Sequence, residues 1–182
     1  MFVFMNPTAR NVAAFRSWRG IRAPWLGTKN VWRLFANTGF IRERTLAAIL
    51  RLAPADWSPA FAERLYREIA GNGGYITNLA KCTQADARPL PDRVFRAYLH
   101  LMHREILLVR PKCIVTFGNQ VSSVLLGKPI RVSVYKNAEH ETLRIGTHTF
   151  PVYPVHYPVG QGQRNMPLAI RRIRNIIRAS AS

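Results

Sequence analysis

Three polar residues stand at or just beyond strand-like runs: Asn6 after Phe2–Met5, Asn78 within Tyr75–Leu79, and His156 after a β-rich stretch ending at Val155. A side-chain amide offers a donor and an acceptor side by side, which suits a flat ligand with alternating N–H and carbonyl groups. An imidazole donates a hydrogen bond to developing negative charge whether it is neutral or protonated. None of the three is a carboxylate, so a strong general base is missing from the set.

The elements that must position them alternate between strand and helix. Phe2–Met5 reads as a short buried strand ended by Asn6-Pro7. Helices are expected over Gly27–Asn37, Arg42–Leu52 and Ser58–Ala70, the last opened by Ser58-Pro59 and closed by Gly71. Tyr75–Leu79 is β-rich, and Pro91–Val109 reads as one long amphipathic helix. Cys113–Phe117 has a buried-strand pattern, followed by Gly118 and a helix through Leu126. Residues 130–155 read as β, with a hairpin near Gly146. In the last helix, from near Pro167, Met166, Ile170, Ile173 and Ile177 make the apolar face, and Arg171, Arg172, Arg174 and Arg178 the polar one. The expected fold class is α/β, three layers with helices on both faces of a mainly parallel sheet. Ligands in such open sheets sit beyond the carboxyl ends of the strands, where the three polar residues fall.

Length and composition narrow the classes. The 182 residues suit one domain, and 48% hydrophobic content excludes a disordered basic tail. Two cysteines, Cys82 and Cys113, cannot build a disulfide scaffold and read as buried small apolar residues. No apolar run approaches the ~20 residues of a membrane span, and Asn6-Pro7 interrupts the N-terminal apolar run too early for a signal peptide. A cytoplasmic monomer with no membrane partner is expected. The net charge is +18, and 22 of the 27 cations are Arg, whose planar fork of donors fits phosphate. Arg10, Arg16, Arg19, Arg22, Lys29, Arg33 and Arg42 all precede the first carboxylate, Glu43. That field makes nucleic acid the expected partner.

Four stretches in order resemble the uracil-DNA glycosylase superfamily. They are Phe4-Met5-Asn6-Pro7-Thr8, Ala23-Pro24-Trp25-Leu26-Gly27, the run Tyr75-Ile76-Thr77-Asn78-Leu79-Ala80-Lys81-Cys82 with Arg88-Pro89 and Arg110–Gly118, and Val155-His156-Tyr157-Pro158. The third is similar to the iron–sulfur branch, while Met5-Asn6-Pro7 is closer to the mismatch-specific and single-strand-selective branches.

The resemblance implies a monofunctional enzyme that flips uracil out of DNA, single- or double-stranded, and hydrolyses its glycosidic bond. Asn6 would hold water, and His156 would stabilise the departing base. Asn78 would read its edge, Trp25 would stack on it, and Met5 would line its pocket. Arg10, Lys81, Gln161, Gln163 and Arg164 would contact DNA, with the Gln161–Arg164 loop as a wedge into the emptied stack. Only Cys82 sits at a cluster-ligand position, and ungapped alignment puts Tyr98 at the last one. A cluster normally takes four thiolates, so neither metal nor cofactor is expected. Alternatives are excision of another deaminated or damaged base, since Thr8 stands where Gly or Tyr is expected, or a non-catalytic nucleic-acid-binding module on the same fold. A nucleotide-binding enzyme is disfavoured by the lack of G-x-G-x-x-G and G-x-x-x-x-G-K-[ST].

Overall fold

All three residues of β1 (Phe2–Phe4) are buried. Parallel strands flank it on both sides, β2 (Ile76–Asn78) in the register Phe4↔Asn78 and β3 (Ile114–Phe117) in the register Phe2↔Val115. Beyond β3 lie β5 (His148–Val155), parallel to it, and β4 (Glu141–Ile145), antiparallel to β5, which gives the order β2-β1-β3-β5-β4. The structure is a computed structural model that describes the chain except Ala87, Pro89, Ser182 and the side chains of Gln161 and Ala181. Pro89 of the expected Arg88-Pro89 pair and the Gln161 side chain therefore lie outside the described residues.

Strand side chains alternate between faces, and two cores follow. Phe2, Phe4, Phe117 and Val155 pack with α1 (Asn30–Asn37), α2 (Glu43–Arg51), α3 (Pro59–Gly71) and the C-terminal helix. Val3, Ile114 and Val152 pack with α4 (Asp92–Ala97), α5 (Leu99–Val109) and α6 (Asn119–Leu126). The C-terminal helix is α7 (Met166–Ala181), which places Ala169, Ile173 and Ile176 in the first core. The chain leaves β1 for β2 on one side and returns past β1 to β3 on the other. Such a reversal opens a crevice at the carboxyl ends of the strands. No helix among the described residues is long and apolar enough to cross a membrane.

Four sequence expectations change. The helix expected over Pro91–Val109 is two, because Tyr98 closes α4 with a tight turn from its N–H to Phe95 O at 3.0 Å. Residues 130–140 form no strand and hold a short 3-10 turn, Val132–Val134. Both cysteines are half-buried rather than buried. On α7 the buried stripe is rotated: Ile176 is 1% exposed and Ile177 39%. Arg172, expected on the polar face, is 6% exposed. Its guanidinium donates to Pro154 O at 2.8 Å, Asn137 O at 2.9 Å and Glu139 O at 2.6 Å, and it stacks on Tyr135. A buried cation is tolerated when its donors are satisfied in this way. Trp18, Trp32 and Trp57 are buried in the first core.

Candidate active site

Asn-Pro ends β1 because proline has no N–H with which to extend a ladder. Beyond that point the chain runs beside the segment after β2: Leu79 N donates to Phe4 O, Ala80 N to Met5 O and Gln84 N to Pro7 O, at 2.8–3.0 Å. The two asparagines stand at or just beyond the ends of adjacent strands. They line a cavity of about 480 Å³ that also holds Thr8, Arg10, Trp25 and Tyr157.

Asn78 is 6% exposed, and its Oδ1 is buried without a hydrogen-bond partner. An orphaned buried acceptor costs roughly 1–3 kcal/mol, so its retention marks a place where a ligand donor fits. Asn6 is half-buried, and its Nδ2 donates to Pro7 O at 3.1 Å. That leaves Oδ1 as the acceptor it presents.

Trp25 has φ +69°, a left-handed backbone that side chains with a Cβ rarely adopt. Such a conformation persists only when its surroundings over-determine it. Here Thr28 Oγ1 donates to Trp25 O at 2.7 Å, Val12 N to Leu26 O at 2.9 Å, and the Tyr66 hydroxyl to Pro24 O. Phe4 meets the indole edge-on at 4.9 Å, and the Trp25 Nε1 is buried without a partner.

His156 follows β5 directly and is half-buried. It does not line the cavity, whereas its neighbour Tyr157 does. Burial, reinforced by the Arg172 charge, holds the His156 imidazole below its ordinary pKa. It is therefore neutral at pH 7 and can donate from one ring nitrogen. Burial pushes the Tyr157 phenol up to about 12, so it too stays neutral. The 3-10 segment Gly160–Asn165 folds back onto Tyr157, and a Cβ on Gly162 would fall 2.2 Å from the Tyr157 carbonyl oxygen. That segment presents Gln163 and Arg164 to solvent.

Besides His156, the expected residues Met5 and Lys81 stand apart from the cavity. Met5, half-buried, packs its side chain against the second core. Lys81 Nζ is held by Thr77 Oγ1 at 2.7 Å and Glu105 Oε2 at 2.5 Å. Lys81 lines a larger adjoining cavity, about 700 Å³, which reaches Asn78 from the free edge of β2. The smaller cavity is the candidate site because it alone brings Asn6, Trp25 and Asn78 together.

Sequence reasoning missed Asn11, Phe15 and, as a wall residue, Tyr157. Asn11 Oδ1 accepts from Ala13 N at 3.1 Å while Nδ2 donates to Ala23 O at 2.9 Å, which braces the loop after β1 against the Trp25 segment. An Asn four residues after Asn-Pro is a turn cue that could have pointed to it. Its place directly after His156 at the end of β5 is the signal that could have found Tyr157.

Cys82 and Tyr98 meet. A hydrogen bond between them, more than burial, raises the Tyr98 phenol above its ordinary pKa. One thiol and one phenol do not fit a four-thiolate cluster. Among the described residues no group of three or more His, Cys, Asp or Glu could hold a metal ion.

The family model described as the uracil DNA glycosylase superfamily matches residues 6–175. A search of curated proteins finds no match to the chain.

Proposed function

Because the chain belongs to the uracil DNA glycosylase superfamily, and so to the N-glycosylases that act on damaged bases in DNA, we propose that its substrate base is uracil, flipped from the strand into the 480 Å³ cavity. The observation that carries this reading is the unpaired, buried Oδ1 of Asn78. Uracil brings one N–H between two carbonyls. Asn78 Oδ1 accepts from that N–H while its Nδ2 donates to a carbonyl, a pairing that cytosine cannot reproduce with the amide in this orientation. Trp25 stacks on the ring. Stacking on an aromatic is worth about 1–3 kcal/mol per base.

The bond between C1′ and N1 breaks with its electron pair going to the uracil ring. His156 stands just outside the cavity lining, next to the wall residue Tyr157; turning in from the end of β5, it donates a hydrogen bond to the carbonyl oxygen where that charge gathers. Asn6 Oδ1 holds a water that adds to C1′ of the cationic sugar, and the water's proton leaves for solvent or the uracil anion. Arg10, Gln163 and Arg164 hold the flanking phosphates, and the segment carrying Gln163 and Arg164 enters the gap in the stack.

The test is incubation with uracil-containing oligonucleotides, single- and double-stranded, followed by alkaline cleavage at abasic sites. Cleavage at uracil and not at cytosine or thymine is expected. Intact strands under all conditions would overturn the reading. Thr8 on the cavity wall favours one competitor, excision of another deaminated base. Hypoxanthine and xanthine oligonucleotides in the same assay separate the two.

A further inference from the structure

The mouth of the cavity carries an aromatic ring that folding does not use. Phe15 is 46% exposed, while every other phenylalanine is buried or half-buried. It lines the same cavity as Trp25 and Asn78. A ring left in water gains little burial energy, so the fold has no need of it there.

Its position is nonetheless rigid. Phe15 N donates to Val12 O at 3.0 Å, closing the 3-10 turn Val12–Ala14 that the Asn11 side chain caps. Val12 N donates to Leu26 O, and the Arg22 guanidinium donates to Ala13 O. Gly27, at φ +84°, lets the two segments touch: a Cβ there would lie 2.5 Å from Val12 Cγ1. The loop bearing Phe15 is thus fastened to the segment bearing Trp25. One ring lies in the cavity wall and one at its mouth, on backbone segments fastened to each other.

The surroundings are cationic. Arg10 and Lys29 line the same mouth, Arg16 and Arg19 follow on the loop, and no carboxylate precedes Glu43. An exposed aromatic set among cations matches a nucleic-acid strand, in which every base has a stackable face and a phosphate on each side.

We propose that Phe15 is a stacking platform for the base adjacent, on the same strand, to the base held in the cavity. This rests on the uracil reading only in assuming that a flipped base occupies the cavity. When one nucleotide leaves the stack, its neighbour loses a stacking partner, and Phe15 supplies one from the cavity mouth.

The experiment measures binding of the full chain to oligonucleotides bearing a non-hydrolysable 2′-fluorinated deoxyuridine. Wild type is compared with Phe15→Ala, Phe15→Leu and Phe15→Trp, with thermal melting to check folding. Phe15→Ala and Phe15→Leu should weaken binding about tenfold, and Phe15→Trp should bind as wild type. The slope of log affinity against log salt should not change, because no phosphate contact is lost. When both neighbours of the analogue are abasic spacers, wild type and Phe15→Ala should bind equally. Wild-type affinity in Phe15→Ala or Phe15→Leu, or a deficit that survives removal of the neighbouring bases, overturns the proposal. Failure of wild type to prefer the uracil analogue over its thymine counterpart overturns the uracil reading instead. It leaves the Phe15 comparison to be judged on its own.

Discussion

Phe4 of β1 is the register partner of Asn78 of β2, and Asn6 lies two residues beyond Phe4. Asn6 therefore stands two residues further along than Asn78, beyond the end of the adjacent parallel strand. A ligand between them meets Asn78 from one strand end and Asn6 from the next without either loop having to reach. The aromatic ring of Phe4 meets Trp25 edge-on at 4.9 Å.

Asn78→Asp should lower uracil excision at least a hundredfold, the scale of losing one charge-stabilising donor. The carboxylate keeps an acceptor for the uracil N–H but has no donor for the carbonyl, and it places negative charge against that oxygen. Nonspecific DNA binding, measured on uracil-free duplex, should fall by less than threefold. Wild-type excision by Asn78→Asp would remove Asn78 as the reader.

Much of this geometry is legible along the chain, and the reasons are local. Asn6-Pro7 must end a strand, Ser58-Pro59 must start a helix, and the Tyr75–Leu79 run is bounded by Gly73-Gly74. The strand ends, and with them Asn6, Asn78 and His156, follow from those rules. What stayed hidden depends on partners far away in sequence. The burial of Arg172 rests on carbonyls at 137, 139 and 154, and the break at Tyr98 accompanies its contact with Cys82. Periodicity reports neither. It also cannot show that Phe15 stays in water or that Met5 turns away from the cavity.

Binding to undamaged DNA should weaken steeply with salt. With six phosphates neutralised, log affinity against log salt has a slope of about −5. Arg10→Ala and Arg164→Ala should each make that slope shallower by about one. Fluorescence anisotropy across a salt series measures it, and a flat profile would exclude phosphate contacts as the main source of affinity.

Stability should depend on pH through His156. Burial and the Arg172 charge lower its folded-state pKa, whereas the unfolded chain keeps about 6.5. Between those two values the unfolded chain binds a proton that the folded chain does not. Stability is then full above about pH 6.5, falls as the pH drops through the window, and levels off below the folded pKa. His103, also lowered by burial, acts in the same direction. Chemical denaturation at a series of pH values should show this fall, and His156→Asn should make it shallower. An NMR titration placing His156 above 6.5 would refute it.

The division of labour between Asn6 and His156 follows from which of them meets charge. If bond breaking is mainly dissociative, the uracil anion forms before water attacks, and stabilising it matters more than activating water. Asn6 has no ionisable group and already spends Nδ2 on Pro7 O, so it orients water through Oδ1 and its loss should be partial. His156, kept neutral by its surroundings, meets the developing charge, and one such donor is typically worth ~10²–10³ in rate. In single-turnover assays at pH 7.5, His156→Ala should therefore lose more rate than Asn6→Ala, with DNA binding retained in both. Because the imidazole is already neutral, the wild-type rate should not decline between pH 7 and 8.5. A larger loss in Asn6→Ala would mean that water positioning governs the barrier. Near-normal rates in both would move the chemistry to other groups of the cavity, with Tyr157, neutral and on its wall, the first to test.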